Sequence, residues 1–128
     1  MSALDIQIDG EHYKNVKIQP IELAYKLGAS PAFCKLAKYI SRQKNDKKIN
    51  LQKAIHCIQL DMELQYCSYY HVTADICDGN VYEMVYDFAN QFTEDNNFAD
   101  ALINLYNGYH NLAIENVTDY ARNLGIDL

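Results

Sequence analysis

The sequence lacks any apolar run approaching the roughly 18 residues that a membrane span needs. Its opening Met1-Ser2-Ala3-Leu4-Asp5 has neither the basic start nor the greasy core of a secretory leader. A soluble protein kept inside the cell is the expectation. Proline is scarce, two in 128 residues, and no strong strand run follows residue 18, so little interrupts helix. No CxxC pair is present, which leaves out the commonest zinc and dithiol signatures. Also missing are a GxxxxGKS/T loop to cradle ATP phosphates and the motif set of a protein kinase.

What is present is ordinary in amount and unusual in arrangement. At 49% hydrophobic and 22% charged residues, the composition is that of a globular protein, and 128 residues suit one domain. The formal net charge of −6 gives the whole molecule no field to draw in DNA or an anionic membrane. Resolved along the chain, the figure splits. Residues 1–60 hold ten of the eleven Lys and Arg with five acids, whereas residues 61–128 hold one Arg with twelve acids. A basic half is joined to an acidic half.

The four cysteines, Cys34, Cys57, Cys67 and Cys77, read as reduced thiols in an intracellular protein. Cys67, His71 and Cys77 lie near one another in sequence, as a zinc site would require. Ten residues of helix, however, turn neighbouring members of the series away from each other, so small buried thiols are the simpler reading.

The alternation of Leu4, Ile6 and Ile8, resumed by Val16 and Ile18, suggests an extended arm or short hairpin before residue 18. Helical signals follow. Pro20 and Gly28 frame a first helix over 20–27, and Ser30-Pro31 opens a second to about Gln43. Asn50 suits the cap of a third helix running to about Tyr70, with Leu51, Ala54, Ile55, Ile58, Met62, Tyr66 and Tyr69 on its apolar stripe. Asn80 with Glu83 resembles a capping box for a fourth, carrying Val81, Val85, Phe88 and Phe92. After a polar loop from Thr93 to Asn97, two further helices, Phe98 to Tyr106 and Leu112 to Leu124, are separated near Asn107-Gly108. The expected architecture is an all-α compact bundle of about five to six helices in a single domain.

The second helix is the most informative. Phe33, Leu36, Ala37 and Ile40 make one apolar face, and Lys35, Lys38 and Arg42 fall close to opposite it at about 100° per residue. Lys44, Lys47 and Lys48 extend the basic surface, with only Asp46 to neutralise it locally. Such a row is often a solvated face and nothing more. Its functional reading is an anion site for phosphate groups. The acidic half carries Asp75, Asp78, Glu83, Asp87, Glu94, Asp95 and Asp100 beside eight of the eleven tyrosines. Tyrosine next to acid suits a protein interface, although tyrosines four residues apart, such as Tyr82 and Tyr86, also border small cores.

Taken together, His12-Tyr13-Lys14, Ile18-Gln19-Pro20-Ile21-Glu22, Lys38-Tyr39-Ile40-x-Arg42 and Leu51-x-Lys53-Ala54 resemble the small phage domain labelled nucleotide-kinase-like. The likeness covers residues 10–65. It implies a phage or prophage origin, residence in the cytoplasm of an infected bacterium, and, for one branch of that family, phosphorylation of deoxynucleoside monophosphates with Mg²⁺ and ATP. If phosphate is bound, the residues expected to contact it are His12, Lys38, Arg42 and Lys53 of these motifs, with Lys35 from the basic row of the second helix. Where the family usually has Gly-Asn ahead of KY and an acid ahead of LxKA, this chain has Leu36-Ala37 and Asn50.

Those departures, and the lack of spaced carboxylates to hold a metal, favour a binding protein without a catalytic residue, cofactor or metal. The expected partner is a host defence or nucleic-acid-handling protein, inhibited in an anti-CRISPR-like manner through Tyr82, Glu83, Tyr86, Asp87, Glu94 and Asp95, whose acids imitate a phosphate row. A deoxynucleoside monophosphate kinase is the alternative. An all-α NTP pyrophosphohydrolase is a further one, for which Glu83 and Asp87 are a single i, i+4 acid pair where repeated ExxE spacing is wanted. Head-to-tail self-association of the two charged halves is a third use of the same split.

Overall fold

In the computed structural model, residues 17–43, 46–64 and 79–128 are described, and every regular element among them is an α-helix. There are six: α1 (Pro20–Leu27), α2 (Pro31–Ser41), α3 (Lys47–Leu64), α4 (Gly79–Asn90), α5 (Asn96–Tyr106) and α6 (His110–Asn123). The proposed N-terminal arm, His12, the Cys67, His71 and Cys77 group, and Tyr66, Tyr69 and Tyr70 lie outside the described residues.

Local signals set the first two helices where they were expected. Pro20 occupies the first turn of α1, where a missing N–H costs nothing. Gly28 then takes a left-handed φ of 62°. That geometry lets the Ala29 N–H return to the Ala24 carbonyl at 2.9 Å. Ser30 follows at once as the cap of α2, its Oγ accepting from the Phe33 N–H at 3.2 Å. Helix α2 stops at Ser41, two residues early, because Arg42 is extended at φ −68° and ψ 124°.

The start of α3 differs from expectation. Asp46, not Asn50, is the cap: its Oδ1 accepts from the N–H of Lys48 at 2.9 Å and of Ile49 at 3.4 Å. Asn50 is buried inside the helix. The extra turn places Lys47 where its ammonium donates to the Ile40 and Arg42 carbonyls at 2.8 and 2.9 Å. These are carbonyls at the end of α2 that lack helical donors. Helix α4 already begins at Gly79, so Asn80 lies within it and not at its boundary. Asp95, accepting from the Asn97 N–H at 3.0 Å, brings the start of α5 into the expected loop, and Gly108 at φ 83° separates α5 from α6.

All six helices contribute to one apolar cluster. Helix α2 packs on α1, α3 and α5; α6 packs on α3 and α5; α4 packs on α5 and α1. Phe98 is the hub of an aromatic group, with ring centroids 6.1 Å from Phe88, 5.7 Å from Phe92 and 5.6 Å from Tyr120. Tyr106 lies edge-on to Phe33 at 6.0 Å and donates its hydroxyl proton to the Leu27 carbonyl at 2.9 Å. The basic and acidic parts of the sequence therefore share a core while keeping different surfaces.

Candidate functional site

The apolar face of α2 is buried as its periodicity required: Phe33, Leu36, Ala37 and Ile40 are each exposed by 1% or less. That fixes the opposite face outward, and Lys35 and Lys38 are exposed there. From α3, Lys53 joins them. The Lys38 and Lys53 ammoniums each lie 5.6 Å from the centroid of the Tyr39 ring, so the two charges are within twice that distance of each other. The ring's negative face stabilises both cations. Neither Lys35 nor Lys53 forms an ion pair with a described residue.

Two members of the expected basic surface behave differently. Arg42 is half-buried, and its Nε is enclosed without a hydrogen-bond partner among the described residues. Lys47 does not extend the surface but turns inward, its ammonium 5.8 Å from the Tyr120 ring centroid. Desolvation pulls its pKa down from 10.5 to about 8. Between those values the unfolded chain retains a proton that the folded chain has released, so this group adds stability as pH rises through that window. Urea unfolding of wild type and Lys47→Arg at several pH values between about 8 and 10 checks this. Wild type should gain on the variant, whose guanidinium stays charged; a constant difference would contradict the burial assigned to Lys47.

Cys34 and Cys57 are free thiols. Burial pushes both pKa values up, against an opposing pull from Lys38 on Cys34 and from Lys35 and Lys38 on Cys57. Neither thiol has the depressed pKa of a nucleophile.

On the acidic side, α4 buries Val81, Val85, Phe88 and Ala89 and exposes Tyr82, Glu83 and Asp87. Tyr86 is half-buried. Its hydroxyl donates to Asp100 Oδ1 at 2.7 Å, and desolvation followed by that bond raises its pKa to about 12. Glu94 is exposed. Asp95 is structurally engaged, capping α5 through Oδ1 and accepting from Asn123 Nδ2 at 3.0 Å through Oδ2. Tyr82, Glu83, Asp87 and Glu94 are thus the outward part of the expected contact set, while Tyr86 and Asp95 brace it.

A groove of about 500 Å³ between α1 and α2 is lined mainly by Ile21, Ala24, Tyr25, Pro31 and Cys34, with Lys35 at its edge. A smaller cavity of about 350 Å³ lies by Arg122 and the C-terminal residues. Lys38, Arg42 and Lys53 line neither. Among the described residues, no three His, Cys, Asp or Glu side chains gather as a metal site, and no helix is long and apolar enough to cross a membrane.

One buried polar pair went unread in the sequence. His110 Nε2 lies 2.8 Å from Asp61 Oδ2, with the side chains 8% and 10% exposed. The signal was the position of Asp61, three residues after Ile58 and seven after Ala54, on the stripe that α3 buries. The partner, 49 residues away, had no sequence signal.

Compared with family models, curated proteins and solved structures, the chain matches none. The likeness of residues 10–65 to the phage domain rests on its quoted motifs alone.

Proposed function

We propose that this protein acts by binding, as a phage-encoded inhibitor of a host defence or nucleic-acid-handling protein, and that the outer edge of α4 makes the contact. The observation that carries this reading is the exposure of Tyr82, Glu83 and Asp87 along a helix whose other side is anchored by Val81, Val85 and Phe88. An anchored helix presents its side chains with little ordering cost on association. Its carboxylates match the basic groove of a nucleic-acid-binding protein, and a tyrosine among them contributes contact area.

The test is capture from bacterial host lysate by tagged wild type and by a Tyr82→Ala, Glu83→Gln, Asp87→Asn variant. Wild type should return a nucleic-acid-binding protein, and the variant should bind it at least about tenfold more weakly, the loss expected for about 1.4 kcal/mol. ATP-dependent turnover of a deoxynucleoside monophosphate, abolished by Lys38→Ala with Arg42→Ala, would instead establish the kinase.

A further inference from the structure

The groove between α1 and α2 is not used by the α4 reading, and its shape follows from the side chains that meet there. Only Gly28, Ala29 and Ser30 join the two helices, so they leave the turn as close neighbours. Between them stand Ala24 and Cys34, too short to close the gap as larger side chains close the core. About 500 Å³ stays open as a result. Ile21 and Tyr25, one helical turn apart on α1, form an apolar wall and remain 50% and 83% exposed.

The polar groups of the groove are few, and none of its lining residues is acidic. Lys35 stands at the edge and forms no ion pair with a described residue. Ser30, only 8% exposed, also lines the groove. Its Oγ accepts from the Phe33 N–H, and its hydroxyl proton has no acceptor among the described residues, which leaves that proton for a second partner. The first turn of α2 begins at the same place and adds the positive end of that helix. We propose that the groove binds a small amphipathic anion, an apolar body carrying one carboxylate or sulfonate, with the body against Ile21 and Tyr25 and the anionic group held by Ser30 and Lys35. Size favours a small molecule over a docked protein helix. The wall is the eight-residue α1, about 12 Å long, too short a strip for the roughly 800 Å² that each partner buries in a stable protein interface. The volume of about 500 Å³ instead falls within the roughly 300–1,000 Å³ of small-molecule sites, which pair an apolar lining with a few polar groups.

The probe is anilinonaphthalene sulfonate, an aromatic body with one anionic group, titrated into the full chain while its fluorescence is followed. One saturable site is expected, and Lys35→Gln should weaken it about tenfold through the loss of one charge-assisted contact. Phenylnaphthylamine, the same body without the sulfonate, should bind wild type and Lys35→Gln alike, and Tyr25→Ser should weaken both dyes. Lys35 and Tyr25 are exposed, so unchanged thermal midpoints certify the fold of both variants. Decanoate should displace the sulfonate dye, whereas acetate, which lacks the apolar body, should not. No saturation below about 1 mM, equal affinity of the sulfonate dye for wild type and Lys35→Gln, or unchanged binding in Tyr25→Ser would overturn the proposal. No protein partner enters the measurement, so its failure leaves the α4 reading standing.

Discussion

Truncation of Phe98 to alanine is expected to lower the unfolding free energy by about 3–5 kcal/mol, the range for removing a buried aromatic side chain from a packed core. The residue is fully enclosed. Its ring meets Phe88 and Phe92 on one side and the edge of Tyr120 on another, so both transfer free energy and aromatic contacts are lost. The surrounding rings belong to three different segments and cannot all move into the vacated space without disturbing their own helices. A protein of this size has a total stability of about 5–15 kcal/mol, so the loss is a large part of it. Urea titration is the measurement, with exposed Leu112→Ala as a control expected within about 0.5 kcal/mol of wild type. A Phe98→Ala loss below about 1 kcal/mol would show that the cluster collapses freely around the gap. The consequence reaches α4, which packs on α5 and α1. With Phe98 gone, the amide protons of α4 should exchange first, loosening the edge that presents Tyr82 and Glu83.

The boundaries legible in the sequence were those written in local chemistry. Pro20 with Gly28, Ser30 with Pro31, and Gly108 act through their own φ angles or side-chain oxygens, and the structure uses each of them. The α2 core face was legible for the same kind of reason, since period and burial coincide. The start of α3 was not, because Asp46 and Asn50 are both competent caps. What separates them is Lys47, which reaches the α2 carbonyls only if the helix begins at residue 47, a tertiary contact that propensity does not register. The same contact removes Lys47 from the basic surface.

The candidate surfaces divide in the same way. Lys35, Lys38, Tyr82, Glu83 and Asp87 face outward because the apolar residues beside them are buried, which helical spacing expresses directly. That Lys53 meets Lys38 over Tyr39, that Tyr86 bonds Asp100, and that Asp95 is occupied by Asn123 all depend on how helices dock. A charge count along the chain detects two surfaces; only packing distinguishes the acids that brace α4 and α5 from those left exposed.

Removal of Asp61 has the second of the two largest effects. Asp61→Ala is expected to cost about 1–3 kcal/mol, because the buried His110 ring N–H would be left without its acceptor. The 2.8 Å contact joins a carboxylate to the first residue of α6, so the carboxylate also lies near the positive end of that helix. With the carboxylate ionised, Nε2–H donates to it, and alanine leaves that donor without the acceptor. The informative comparison is Asp61→Leu with His110→Leu. Replacing both partners by apolar side chains removes the desolvation of two polar groups together, and such exchanges are often neutral or stabilising. The double variant should therefore recover most of the loss seen in either single variant, giving a coupling of about 2–3 kcal/mol in a double-mutant cycle followed by urea unfolding. Additive losses would mean that each side chain acts through separate neighbours. Because the pair joins α3 to α6 across 49 residues of sequence, recovery in the double variant would assign it the role of aligning these two helices over the shared core.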